Sequence, residues 1–267
     1  MPSNARWETL TVDGVDMDVF VDEPAAPGPH PAIVVAHHRA GNDAATTKFV
    51  QDLAGQGYVA ATPHLHHRRP DGEDTRDSIK NLDDNQIVAD LNATVALLQG
   101  LDSVDADRMG IAGHCMGGRV SFLGAASIPA FKCNVAYYSG NMFKTMGTGD
   151  VPPFDKLDKL RGPSLGFFGN DDENPSPADV DKIDARLTEL GIAHEFHRYD
   201  GCGHAFQNFH NPQGYRAAAT ADSTMEAMSA SHSCALSGWH PNAANTPGLG
   251  RMSRTASIAR RLHATVR

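Results

Sequence analysis

Apolar and polar residues alternate through residues 7–22, WETLTVDGVDMDVFVD, on either side of Asp13-Gly14. Alternation places every second side chain on one face of a strand, and an Asp-Gly pair suits the positive φ angles of a tight hairpin. The stretch therefore predicts an antiparallel entry to a sheet. The pattern then changes to PAIVVAHH, a continuous β-branched run of the kind shown by a strand covered on both faces. KFVQDLAGQG reads as a helix ended by glycine, and YVAATP as the next strand. In residues 84–99, Ile87, Leu91, Val95 and Leu98 recur on one helical face. RMGIAG, KCNVAYYSG, PSLGFFG and HEFHRYD read as four more strands, and a helix starts at about Met116. Another opens at Ser176-Pro177, an N-cap and first-turn proline, with Val180, Ile183, Leu187 and Leu190 inward.

Strands alternating with helices after an initial hairpin imply an α/β fold, a mostly parallel central sheet with helices on both faces. Functional residues are expected where the loops gather, at the carboxyl ends of the strands. The helical pattern begun by GYRAAATADS fades near Ser223. Residues 1–222 are thus expected to form one domain, and residues 223–267 an atypical basic tail. From Ala227 onward there is no Asp or Glu while arginine appears five times. Large apolar residues are too sparse there to be buried, so disorder or loose attachment is expected.

Composition narrows the function classes. At 267 residues and 40% hydrophobic the chain has enough for one large core. The net charge of −9, with both signs interspersed, offers no footprint for nucleic acid or anionic lipid. No apolar run approaches the ~20 residues of a membrane helix, and the N-terminus lacks a signal-peptide core. A soluble, cytoplasmic protein, monomeric or homodimeric, is expected. Cys115, Cys133, Cys202 and Cys234 lie far apart without CxxC pairing and are expected to be free thiols.

Gly113-His114-Cys115-Met116-Gly117 has the GxSxG form with cysteine in the serine position. A strand precedes it and a helix follows, the context of a nucleophile elbow whose tight corner requires the glycines. A helix N-terminus stabilises a thiolate, and the Met116 N–H helps form an oxyanion hole, with a second donor from the loop at His38-Arg39. A proton partner is offered by His204 in RYDGCGHAF. To orient it, FFGNDDENPSP supplies Asp172, with Asp171 as the alternative. The order Cys, Asp, His matches that of α/β-hydrolases.

GHCMGGR, GNDDENPSP and GHAF together resemble the dienelactone hydrolase family, from about Ala32 to Phe206. The resemblance implies an α/β-hydrolase fold and a triad of Cys115, Asp172 and His204 that opens a lactone ring. Family members acting on dienelactone often carry a glutamate where this chain has His38, which helps control thiol ionisation. They also tend to carry a substrate-holding arginine where this chain has Asn208. Arg39, Arg68 or Arg69 is the expected substitute cation.

Five histidines lie between residues 37 and 67. Their neighbouring side chains diverge and no carboxylate or cysteine completes a site, so they are expected to line the pocket mouth rather than bind metal. Tyr137 and Tyr138 end a strand and are expected to pack in the core, with one of them facing the site as the alternative. The sequence thus predicts a cysteine-dependent hydrolase of a lactone or small carboxylic ester, with a small-molecule substrate and no cofactor or metal. A general carboxylesterase and a catalytically impaired binding protein on the same fold are the alternatives.

Overall fold

The computed structural model describes residues 4–70, 72–74 and 78–237, with 228–237 as helical backbone only. The predicted hairpin forms from β1 (Arg6–Val12) and β2 (Val15–Asp22), joined at Asp13 and Gly14 with φ of 52° and 81°. The remaining strands are β3 (His30–Ala36), β4 (Val59–Pro63), β5 (Val104–His114), β6 (Phe131–Tyr137), β7 (Ser164–Gly169) and β8 (His194–Tyr199). They make one sheet of order β1-β2-β4-β3-β5-β6-β7-β8, antiparallel at β1-β2-β4 and parallel elsewhere. The helices are α1 (Ala44–Gly55), α2 (Asp84–Gln99), α3 (Met116–Ser127), α4 (Pro177–Glu189) and α5 (Ala217–Ser237).

Alternation along the strands decides which helix covers which face. Val34, Ala36, Ala61 and Ile111 share a core with Ile87, Leu91, Val95 and Leu98 of α2 and Val120 and Leu123 of α3. Their neighbours Ile33, Val35, Ala60 and Ala112 face the other way, against Val50 and Leu53 of α1 and Ala219 and Ala227 of α5. Helix α4 adds Ile183 and Leu187 to a smaller cluster with Phe122 and Ala136. Two buried faces explain why the central strands read as unbroken apolar runs.

The tail expectation changes in part. Helix α5 passes straight through the expected division at residues 222 and 223. Ser223 is fully buried, its hydroxyl accepting from the Gln207 amide at 2.8 Å, and Ala227 packs against the core. Small residues suffice because this face of the helix lies close to the sheet. Residues 238–267, and with them the rest of the tail, lie outside the described residues. Of the cysteines, Cys115 and Cys202 are free, whereas Cys133 is disulfide-bonded, against expectation. The Cys234 side chain lies outside the described residues.

Candidate active site

Strand β5 delivers Cys115 at the carboxyl edge of the sheet, between His114 and the first residue of α3. Its φ of 58° and ψ of −118° are unusual for a residue with a side chain, and such strain costs roughly 1–3 kcal/mol. The flanking glycines make this corner possible. A Cβ on Gly113 would strike the Gly117 carbonyl, and one on Gly117 the Ala36 carbonyl of β3. A Cβ on Gly118 would come within 2.7 Å of the Tyr137 carbonyl.

Three candidates meet here. His204 Nε2 is 3.0 Å from Cys115 Sγ, and His204 Nδ1 is 2.8 Å from Asp172 Oδ2. The Asp172 side chain is almost fully buried, and its second oxygen accepts the Asn174 N–H at 2.9 Å. Asp171 is exposed and lies beyond this chain of contacts, so geometry favours Asp172 as the imidazole's partner.

Burial acts to raise the Cys115 thiol pKa, but the hydrogen bond and charge of His204 outweigh it, joined by the N–H groups of Met116 and Arg39. The net direction is downward. For His204, burial acts to lower the pKa, but the bonds and charges of Asp172 and Cys115 prevail and raise it to about 10. Both shifts favour a thiolate–imidazolium pair. No glutamate is needed at position 38 to account for it.

His38 does not reach the thiol. Its Nε2 donates to Asp43, the N-cap of α1, at 2.9 Å, and its Nδ1 accepts the Ala40 N–H at 3.3 Å. Both nitrogens brace the β3–α1 loop, and it is the Arg39 N–H that points to the sulfur.

A cavity of about 420 Å³ opens over Cys115, with Arg39, Met116, Asn141, Met146 and His204 in its walls. Of Arg39, Arg68 and Arg69, the three expected substitutes for the missing anchor, Arg39 alone lines it, and Asn208 does not. Arg68 is spent on Asp90 at 2.8 and 2.9 Å and on Asp13 at 3.2 Å. Arg69 lines a separate small cavity with Leu65, His66 and Asn81. Asn208 is exposed, its side chain accepting the His210 N–H in a local turn. The mouth also carries the acidic Asp171 and Glu173.

The histidines are not at the mouth. His37 and His66 are buried beneath the β3–α1 loop with ring centroids 5.0 Å apart, and neither lines the cavity over Cys115. Among the described residues no group of three or more His, Cys, Asp or Glu side chains is arranged to hold a metal ion. No described helix is long and apolar enough to cross a membrane.

Two contributors were not marked by the sequence pattern. Arg119, in the elbow motif itself, is fully buried and forks onto Asp84 at 2.6 and 2.9 Å. Its guanidinium also donates to the Asn141 and Lys144 carbonyls, anchoring the loop that supplies the cavity wall. His114 stacks on Tyr137 at 4.2 Å, and burial lowers its pKa to about 4, so it stays neutral. Tyr137 and Tyr138 are buried as expected, but Tyr138 also sets its ring edge-on to His204 at 5.2 Å. An arginine directly after the glycine pair, at Gly117-Gly118-Arg119, was the one signal available in the sequence.

A family model described as the dienelactone hydrolase family matches residues 17–230. A Synechocystis sp. protein whose name assigns it carboxymethylenebutenolidase activity is 31% identical, covering 77% of this chain and 88% of its own. A Bradyrhizobium sp. protein named for 2-oxo-3-(5-oxofuran-2-ylidene)propanoate lactonase activity is 28% identical over 78% of this chain and 89% of its own. A Klebsiella pneumoniae crystal structure described as a dienelactone hydrolase superposes with a TM-score of 0.78 at 26% identity, covering 86% of this chain and 98% of that one.

Proposed function

The chain belongs to the dienelactone hydrolase family, a family of hydrolases with the α/β-hydrolase fold, and from that premise we propose that it opens a lactone or cleaves a small carboxylic ester through Cys115. The observation that carries the proposal is the unbroken run of contacts from Cys115 Sγ to His204 to Asp172. It sits at a helix N-terminus with two backbone N–H groups aimed at the sulfur. Relatives named for lactone hydrolysis support the substrate class.

In this reaction the thiolate attacks the acyl carbon, a C–S bond forms, and the carbonyl oxygen takes the negative charge between the N–H groups of Met116 and Arg39. As the C–O bond breaks, the His204 imidazolium gives its proton to the leaving alkoxide, which in a lactone stays tethered to the acyl group. With the thiolate consumed, neutral His204 takes a proton from water, which attacks the thioester and releases the acid. Asp172 holds the imidazole in register throughout.

Iodoacetamide labelling across pH and the variant Cys115→Ala test the proposal. Labelling is expected to begin below the ordinary thiol range of about 8.5, and Cys115→Ala is expected to abolish turnover of lactones and p-nitrophenyl esters. An ordinary thiol profile together with full ester turnover in Cys115→Ala would overturn it. The relative kcat/KM on lactones and open-chain esters then separates a lactonase from a general carboxylesterase.

A further inference from the structure

His37 directly follows β3 and is 1% exposed, yet it does not line the cavity, and its ring bonds to backbone groups of His38 and Leu65. Its hydrogen bonds determine where its proton sits. Nε2 is 3.0 Å from the Leu65 backbone nitrogen. A backbone N–H can only donate, so Nε2 accepts and the proton of the neutral ring is on Nδ1. That Nδ1 lies 2.7 Å from the His38 carbonyl oxygen and donates to it. The Gly41 N–H donates to the same oxygen at 3.0 Å.

The His38 carbonyl and the Arg39 N–H belong to one peptide unit. In a planar trans peptide they point in opposite directions. Holding the oxygen toward His37 and Gly41 therefore turns the N–H away from them, and it points to Cys115 Sγ. The next carbonyl, that of Arg39, is held in turn by His66 Nε2 at 3.1 Å. Hydrogen bonds to a peptide oxygen also polarise the peptide and strengthen its N–H as a donor.

We propose that His37 is a positioning residue for the oxyanion hole, locking the His38–Arg39 peptide so that the Arg39 N–H meets the developing oxyanion. This inference rests on hydrolysis through Cys115. Burial, with the nearby His66 second, holds the His37 pKa well below its ordinary range, so the ring remains neutral and keeps its tautomer at working pH.

Two polar replacements separate the hydrogen bonds. His37→Asn puts an amide near the Nδ1 position and keeps a donor for the His38 carbonyl, whereas His37→Gln reaches the Nε2 position and keeps only the acceptor for Leu65. Losing an oxyanion donor outright costs about 10²–10³ in kcat, so a misaimed one is expected to lower kcat of His37→Gln roughly 10- to 100-fold with KM nearly unchanged. His37→Asn is expected to stay within about threefold of wild type. Inhibition by an aldehyde analogue, which forms a thiohemiacetal whose oxygen occupies the hole, is expected to weaken in His37→Gln by about the same factor as kcat. Wild-type kcat in His37→Gln, or equal losses in both variants, would overturn the assignment. If Cys115→Ala keeps full turnover, the hydrolysis reading falls and this one with it. If Cys115→Ala is inactive while His37→Gln is fully active, the His37 assignment alone falls.

Discussion

Replacing Arg119 with methionine removes a fully buried cation while keeping most of its length. In the native protein the Asp84 carboxylate accepts from Arg119 Nη1 at 2.6 Å, Nη2 at 2.9 Å and the Met146 N–H at 3.0 Å. Only the Met146 bond survives the change, leaving a buried carboxylate without a cation. Removing one partner of a buried pair costs about 3–5 kcal/mol, against about 5–15 kcal/mol for a whole domain. The Asn141 and Lys144 carbonyls also lose donors, but Lys144 is exposed and water takes over there, so little is added. For a domain of this size the loss corresponds to a Tm lower by about 6–20 °C. Urea unfolding at neutral pH, with steady-state kinetics on the folded fraction, measures both consequences. KM is expected to rise more than kcat falls, because Asn141 and Met146 line the cavity on the freed loop. Arg119→Lys should lie in between, since ammonium keeps the charge but not the fork. The double variant Asp84→Leu, Arg119→Met should cost less than the two single changes together, because no charge is left buried. Arg119→Met within about 1 kcal/mol of wild type would refute the reasoning.

Asp172→Asn removes a carboxylate that, with Cys115 and against the effect of burial, raises His204 to about 10. In the native pair the thiolate exists above the lowered thiol pKa, and its imidazolium partner is lost only as pH rises through about 10. The variant should therefore begin to react with iodoacetamide at higher pH and lose roughly 10²–10⁴ in kcat/KM; an unchanged onset would remove Asp172 from the site. Arg39→Ala should raise KM for an anionic lactone by roughly 10-fold or more, as expected for a lost charged contact, and leave neutral p-nitrophenyl esters little changed. Equal effects on both substrates, compared by kcat/KM, would show that Arg39 does not read substrate charge.

Much of the architecture was legible in local patterns. Asp13-Gly14 marked the hairpin, unbroken runs such as AIVVA marked strands covered on both faces, and the spacing of Ile87, Leu91, Val95 and Leu98 marked one side of α2. These signals work because side-chain period and turn chemistry are local properties of the chain. The motif around Cys115 was legible for a related reason: the glycines record collisions that any larger residue would suffer at that corner. Where local pattern ended, expectation and structure diverged. Helix α5 runs through a division drawn from the scarcity of large apolar residues, because Ser223 and Ala227 fit a close contact that hydrophobicity does not register.

Side-chain partnership across distant segments was not legible. Arg39, Arg68 and Arg69 were equivalent as cations until the fold joined Arg68 to Asp13 and Asp90 and turned Arg69 to another cavity. His37, His38 and His66 looked alike, yet one braces a loop toward Asp43 and two hold successive backbone carbonyls. By itself the sequence determined the order of elements, the elbow at Cys115 and the residue types available to serve it. Only the tertiary structure decided which aspartate meets His204, which peptide N–H faces the sulfur and which guanidinium reaches the cavity. The physical reason is that hydrogen bonds and ion pairs act over about 3 Å, while the residues that make them lie up to 89 positions apart in the chain.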